Sequence, residues 1–317
     1  MIDGISIGHF SGEDTGATVL YCGPKGALAS VDVRGGGPGT RETDLLQPHN
    51  TVERVHTIVL AGGSAFGLAA ADGVMRELEA HGVGFPVFGE DKPGPRVPIV
   101  PAAVIFDLLA GPSRPGPEDG AAALRAAMAG HDETVGTVGA GVGATAGKLR
   151  GGFGLATRKV GNYEVSAAMV ANPVGEVIDP HTGRLYGAPG RTPVNADAYR
   201  DLPHPAAKLN TTIGAVLTDA PVTTAQAQRL AMTAHDGIAR AVRPAHSPLD
   251  GDTIFALSTA QEPGEVDMVQ LCAAAADVVE EAIVTAVTAA RPGLGLRAYR
   301  DLLGSAIAHY DYGWNFA

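Results

Sequence analysis

The sequence predicts an α+β layered sandwich, and three observations predict it. Short runs rich in β-branched residues, bounded by Gly, Pro or Asp, read as strands at residues 17–21, 27–33, 55–60 and 134–138. Longer stretches carry helical spacing instead. The two kinds of element mix along the chain without the strict strand–helix alternation that a doubly wound parallel sheet requires.

The first helix is expected over residues 65–80, an Ala- and Leu-rich segment with Glu and Arg near its end, stopped by His81 and Gly82. A second stripe, Leu230, Ala234, Ile238 and Val242, follows the turn at Asp219, Ala220 and Pro221. A third runs through Met268, Leu271, Ala275, Val278, Ala282, Ile283, Ala286 and Val287, and Arg291, Pro292 and Gly293 end it. Residues 176–208 hold five prolines and few periodic apolar positions, so they read as an exposed connector leading into an apolar strand over 212–217. The 43 glycines and 22 prolines punctuate apolar segments and form no low-complexity tract, which makes them turns of an ordered fold.

With 317 residues and 45% hydrophobic content the chain can bury a large core, and we read residues 1–317 as a single domain. Its 23 Lys and Arg against 34 Asp and Glu leave a formal charge of -11, which opposes a broad nucleic-acid footprint and suits a small peptide or amide substrate. Cys22 and Cys272 lie far apart in apolar surroundings, as two buried thiols would, and a reducing cytoplasm is the expected setting. The N-terminus lacks the basic start and apolar core of a signal peptide, and no apolar run is long enough for a membrane helix. His49, His56, His81, His131, His181, His204, His235 and His246 are scattered without metal-ligand spacing, so no metal is expected. The glycine pattern at 139–144 follows a strand, but the glycines after it make a poor helix, and a dinucleotide would lack its helix N-terminus.

Asn210, Thr211 and Thr212 stand where the connector enters a strand. A hydroxyl held there can attack the preceding carbonyl carbon, and hydrolysis of the resulting ester frees a chain that begins with threonine. Its α-amine, with a reference pKa of about 7.7 to 8.0, then lies beside its own hydroxyl and can serve as the base that activates it. The same residues also suit an ordinary turn before a strand.

Six segments in order decide between these readings: 32–36 (DVRGG), 60–68 (LAGGSAFGL), 146–148 (AGK), 172–175 (NPVG), 210–213 (NTTI) and 250–253 (DGDT). Through them the chain resembles the self-processing L-aminopeptidase/D-esterase family, which includes β-peptidyl aminopeptidases and the endo-type nylon-oligomer hydrolase, over nearly its whole length. The resemblance implies a four-layer αββα sandwich of the self-processing aminopeptidase/ornithine acetyltransferase type. It also implies autocatalytic cleavage between Asn210 and Thr211 into an α chain, 1–210, and a β chain, 211–317, with Thr211 as N-terminal nucleophile. On the same ground Lys148 is expected beside Thr211, Asn172 as donor to the oxyanion, and Asp250 and Asp252 as carboxylates that orient the nucleophile. Gly63 and Ser64 are expected at the substrate pocket. Phe106 stands where several relatives have a tyrosine, so a hydroxyl is missing from the expected constellation. No cofactor is implied, and relatives assemble as tetramers of processed αβ units. An acyltransferase of the ornithine acetyltransferase type and an inactive binding or scaffold homologue are the alternatives.

Overall fold

The computed structural model describes residues 2–204 and 209–303. In chain order the strands are β1 Ser6–Ser11, β2 Gly16–Tyr21, β3 Ala27–Val33, β4 Thr40–Arg41, β5 Arg54–Val55, β6 Thr57–Ala61, β7 Phe85–Pro86, β8 Arg96–Val97 and β9 Ala102–Val104. They continue with β10 Thr145–Ala146, β11 Leu149–Arg150, β12 Gly152–Val160, β13 Tyr163–Ala171, β14 Ile213–Thr218 and β15 Thr253–Ser258. The helices are α1 Ala70–Ala80, α2 Pro117–Ala129, α3 Ala196–Arg200, α4 Thr224–Ala241 and α5 Met268–Ala289.

Two large sheets organise the molecule, one in the order β1-β2-β6-β9-β4 and one in the order β12-β13-β14-β15-β3-β5. Within the second, β14 and β15 run parallel and sit in its interior, with Ile213 opposite Thr253. Successive side chains on a strand face opposite ways, and β14 uses both faces. Ile213, Ala215 and Leu217 join Ile7, Leu20, Ile58 and Phe255 in the core between the sheets. Val216 instead meets the apolar stripe of α4 and α5, among them Leu230, Ile238, Val278 and Ile283. On the far side, Val19 and Val59 of the first sheet pack on Val74 and Leu78 of α1 and Leu124 of α2. The layers are therefore helices, sheet, sheet, helices, the αββα arrangement expected from the sequence.

Several elements differ from expectation. Residues 134–138 form no strand; Gly136 has φ 92° and makes only an isolated bridge to Phe153. The helix expected from residue 65 begins as a 3₁₀ segment, Ser64–Ala69, and becomes α-helical at Ala70. The connector is less exposed than its composition suggests. Val177, Ile178, Leu185, Val194 and Tyr199 are buried against the α4–α5 layer, so a few non-periodic apolar residues pin an irregular path. Its last part, residues 205–208, lies outside the described residues. The two thiols are unpaired, Cys22 buried and Cys272 half-buried. No helix among the described residues is long and apolar enough to cross a membrane.

Candidate active site

Thr211 stands two residues before β14, at the entry to an interior strand of the second sheet, and is only 4% exposed. Its backbone N–H donates to the Asn172 carbonyl at 2.7 Å. Its hydroxyl donates to the carbonyl of Asn210, the residue on the other side of the bond in question. Oγ1 packs against Gly251: a Cβ there would lie 2.9 Å from it and 2.7 Å from the Gly37 carbonyl oxygen. A glycine at 251 thus lets the β15 approach press on the hydroxyl.

Asn172 follows β13 and is fully buried. Its Oδ1 accepts from the Thr145 N–H at 2.8 Å, and its Nδ2 donates to the Phe106 carbonyl at 3.1 Å. An amide nitrogen carries two N–H groups, so a second donor remains. The Phe106 contact is made by backbone, and the missing tyrosine hydroxyl leaves it intact. Asn210 is held equally firmly: Nδ2 donates to the Pro173 carbonyl at 2.9 Å and to Thr145 Oγ1 at 3.2 Å, and its N–H donates to the Leu249 carbonyl at 3.1 Å. Both sides of the Asn210–Thr211 bond are therefore clamped.

The two aspartates lie close by, but neither carboxylate is hydrogen-bonded to Thr211. Asp252 accepts from the Thr212 N–H at 2.8 Å through Oδ1, and its Oδ2 takes the His246 N–H at 3.1 Å and His246 Nδ1 at 2.7 Å. Asp250 accepts from Val174 N–H at 3.0 Å and from Ser247, its N–H at 3.1 Å and its hydroxyl at 2.5 Å. Burial raises the Asp250 carboxyl pKa against these donors. Asp252 thus fixes the backbone just after the nucleophile, and Asp250 fixes the chain at Val174 and Ser247.

His246, expected as one of the scattered histidines, is half-buried and completes a line that runs to the buried His235. Its ring meets that of His235 on α4 edge to face at 4.9 Å, and His235 Nε2 lies 3.1 Å from the Asp32 carbonyl oxygen. The only sequence signal was its position six residues before Asp252, across a loop containing Pro248.

Lys148 occupies the turn of the β10–β11 hairpin. Its Nζ donates to the Arg200 carbonyl at 3.0 Å and stands 5.5 Å from the centre of the Tyr199 ring. The connector segment around α3 provides both partners. One of the three ammonium N–H groups is used by the Arg200 carbonyl. Gly63 takes the left-handed conformation, φ 82°, and its N–H donates to Asp107 at 2.6 Å beneath the site. Ser64, also at positive φ, lines a cavity of about 140 Å³ together with Phe106, Leu209, Asn210 and Thr211. A second cavity of about 350 Å³ opens on the other side of Phe106 and Asn210.

Comparison with known proteins identifies the family and the fold. Residues 2–299 match the model of peptidase family S58. An uncharacterized aminopeptidase of Mycobacterium leprae is 44% identical, with 96% of this chain and 94% of that protein covered. The 6-aminohexanoate-oligomer endohydrolase of Paenarthrobacter ureafaciens is 33% identical, over 81% of this chain and 73% of its own length. Among solved structures, a Burkholderia sp. beta-aminopeptidase superposes with a TM-score of 0.74 at 22% identity, covering 99% of this chain and 94% of that one. The L-aminopeptidase D-Ala-esterase/amidase of Ochrobactrum anthropi, described as a variant of the Ntn hydrolase fold, gives 0.70 at 21% identity, over 91% and 85%. The chain, with its buried Thr211 between two clamped peptide units, is an amide-bond hydrolase on the Ntn-hydrolase fold and belongs to peptidase family S58.

Proposed function

We propose that the chain matures by cutting itself before Thr211 and then works as an aminopeptidase-type amide hydrolase with Thr211 as N-terminal nucleophile. The observation that carries this reading is the Thr211 hydroxyl resting on the Asn210 carbonyl while Asn172, Thr145 and Pro173 immobilise both flanking residues. Rotation of the hydroxyl from the carbonyl oxygen to its carbon lets Oγ form a bond there. The C–N bond then breaks, the hydroxyl proton passes to the Thr211 nitrogen, and an Asn210 ester remains. Water hydrolyses that ester, restoring the hydroxyl and leaving a carboxylate on Asn210.

The freed amine stays near the Asn172 carbonyl, which accepted its N–H before cleavage. It takes the proton from Oγ as a substrate carbonyl is attacked. Asn172 Nδ2 then donates its second N–H to the developing oxyanion. The leaving amine departs protonated, and water clears the acyl-enzyme. Asp252 and Asp250 hold Thr212 and Val174 still through this cycle, and Lys148 supplies a positive charge that lowers the nucleophile's pKa.

Relatives named aminopeptidase match at higher identity and coverage than those named 6-aminohexanoate-oligomer endohydrolase. Cleavage of N-terminal residues is thus the favoured activity, with oligomer hydrolysis second. A panel of aminoacyl p-nitroanilides of both hands, with a 6-aminohexanoate oligomer, tests it. Wild-type protein is expected to release nitroaniline and Thr211→Ala to release none; equal turnover by both proteins would remove Thr211 from the mechanism.

A further inference from the structure

Arg150 is an arginine only 1% exposed. Its Nη2 donates to the Val142 carbonyl, while Nε and Nη1 have no hydrogen-bond partner among the described residues. The nearby buried carboxylate, Asp107, is already occupied by the Thr15 hydroxyl at 2.7 Å and the Gly63 N–H at 2.6 Å. Burying a guanidinium without a counter-charge is costly, and burial does lower its pKa, with Asp107 opposing. A guanidinium with unpaired N–H groups is a donor that a carboxylate can accept from.

Arg150 lines the 350 Å³ cavity, whose wall also includes Asp107, Asn210, Thr145 and Phe106 and the apolar Leu109, Leu294 and Leu296. Arg150 and Thr145 are directly opposite in the β10–β11 ladder, which places both side chains on one face of the hairpin. On that face Thr145 Oγ1 receives the Asn210 amide. The cation is thus tied, by one hairpin rung and one hydrogen bond, to the bond before Thr211. A largely apolar wall with one arginine whose N–H groups are only partly paired, and a carboxylate already engaged by Thr15 and Gly63, suits an alkyl chain ending in a carboxylate.

We infer that Arg150 and this cavity form a carboxylate-binding subsite beside the nucleophile. Two carboxylates can reach it: the free acid end of a peptide or amino-acid amide substrate, and the carboxylate that cleavage would create on Asn210. Only the choice between these sources rests on the function proposed above; the subsite itself does not.

Hexanoate and its neutral isostere hexanamide distinguish them by calorimetric binding, a measurement independent of turnover, on mature wild-type protein and on Thr211→Ala. Hexanoate is expected to bind at least about tenfold tighter than hexanamide, the scale of a hydrogen-bonded charge, with Arg150→Gln losing the preference and Arg150→Lys keeping part of it. Preference in mature protein assigns the subsite to substrate. Preference confined to Thr211→Ala assigns it to the Asn210 carboxylate, which then fills it after cleavage. Equal or absent binding of both ligands in both proteins, or a preference that survives Arg150→Gln, would overturn the inference. Absence of nitroaniline release, with hexanoate preference intact, would instead remove the hydrolase reading and leave the subsite standing.

Discussion

Asn172 uses its side chain twice, taking the Thr145 N–H and giving an N–H to Phe106, and so presents its remaining donor without rotational freedom. Loss of a preorganised oxyanion donor costs about 3 kcal/mol. Asn172→Ala is therefore expected to lower kcat roughly 100- to 1000-fold in the processed fraction with KM little changed; a loss confined to KM would make it a binding residue only. Thr211, Asn172 and Asp252 were legible because each sits in a short motif whose order along the chain is distinctive. His246 and Arg150 were not. His246 owes its place to a loop that folds back on Asp252, and Arg150 to a hairpin too short to show periodicity. Phe106 was legible as a departure, but its contribution comes from a carbonyl that any residue has.

The helices on the β14 side carry part of the site as well as its core. Helix α4 begins with a reciprocal cap: Thr223 Oγ1 accepts from Gln226 N–H at 3.2 Å, and Gln226 Oε1 accepts from Thr223 N–H at 2.8 Å. Thr223→Ala is expected to cost about 1 kcal/mol in urea unfolding while maturation proceeds, since the cap lies at the end of α4 away from His235; arrested maturation would mean that the cap also aligns the site. Helices α4 and α5 were readable from their apolar spacing, and β3 from its bounds. The strand expected at 134–138 failed because its glycine turns the chain through positive φ. The segment after residue 176 was misjudged because burial by isolated apolar side chains leaves no period to detect.

The two sheets bury histidines that must stay neutral. Burial pushes His9, His56 and His235 down to about 4, and His56 Nδ1 accepts the Ile99 N–H at 3.0 Å, which a protonated ring cannot do. In the unfolded chain these rings titrate near 6.5, so the unfolded state binds more protons below that pH. Stability is therefore full above about 6.5 and falls as pH drops toward 4, by up to about 1.4 kcal/mol per pH unit and group. The Asp107, Glu176 and Asp250 carboxyls, raised by burial, act in the opposite sense at the acid end. Melting temperature is expected to be lower at pH 5.5 than at 7.5, with His56→Gln reducing the drop; a flat profile would show that these rings stay accessible to protons. The four-layer order itself was legible through resemblance more than through pattern, since mixed strands and helices fit many sandwiches. Intact mass spectrometry of freshly purified, active protein tests the central claim most directly. Two chains are predicted, one ending in Asn210 and one beginning with Thr211, and a single uncut chain with full hydrolytic activity would contradict it.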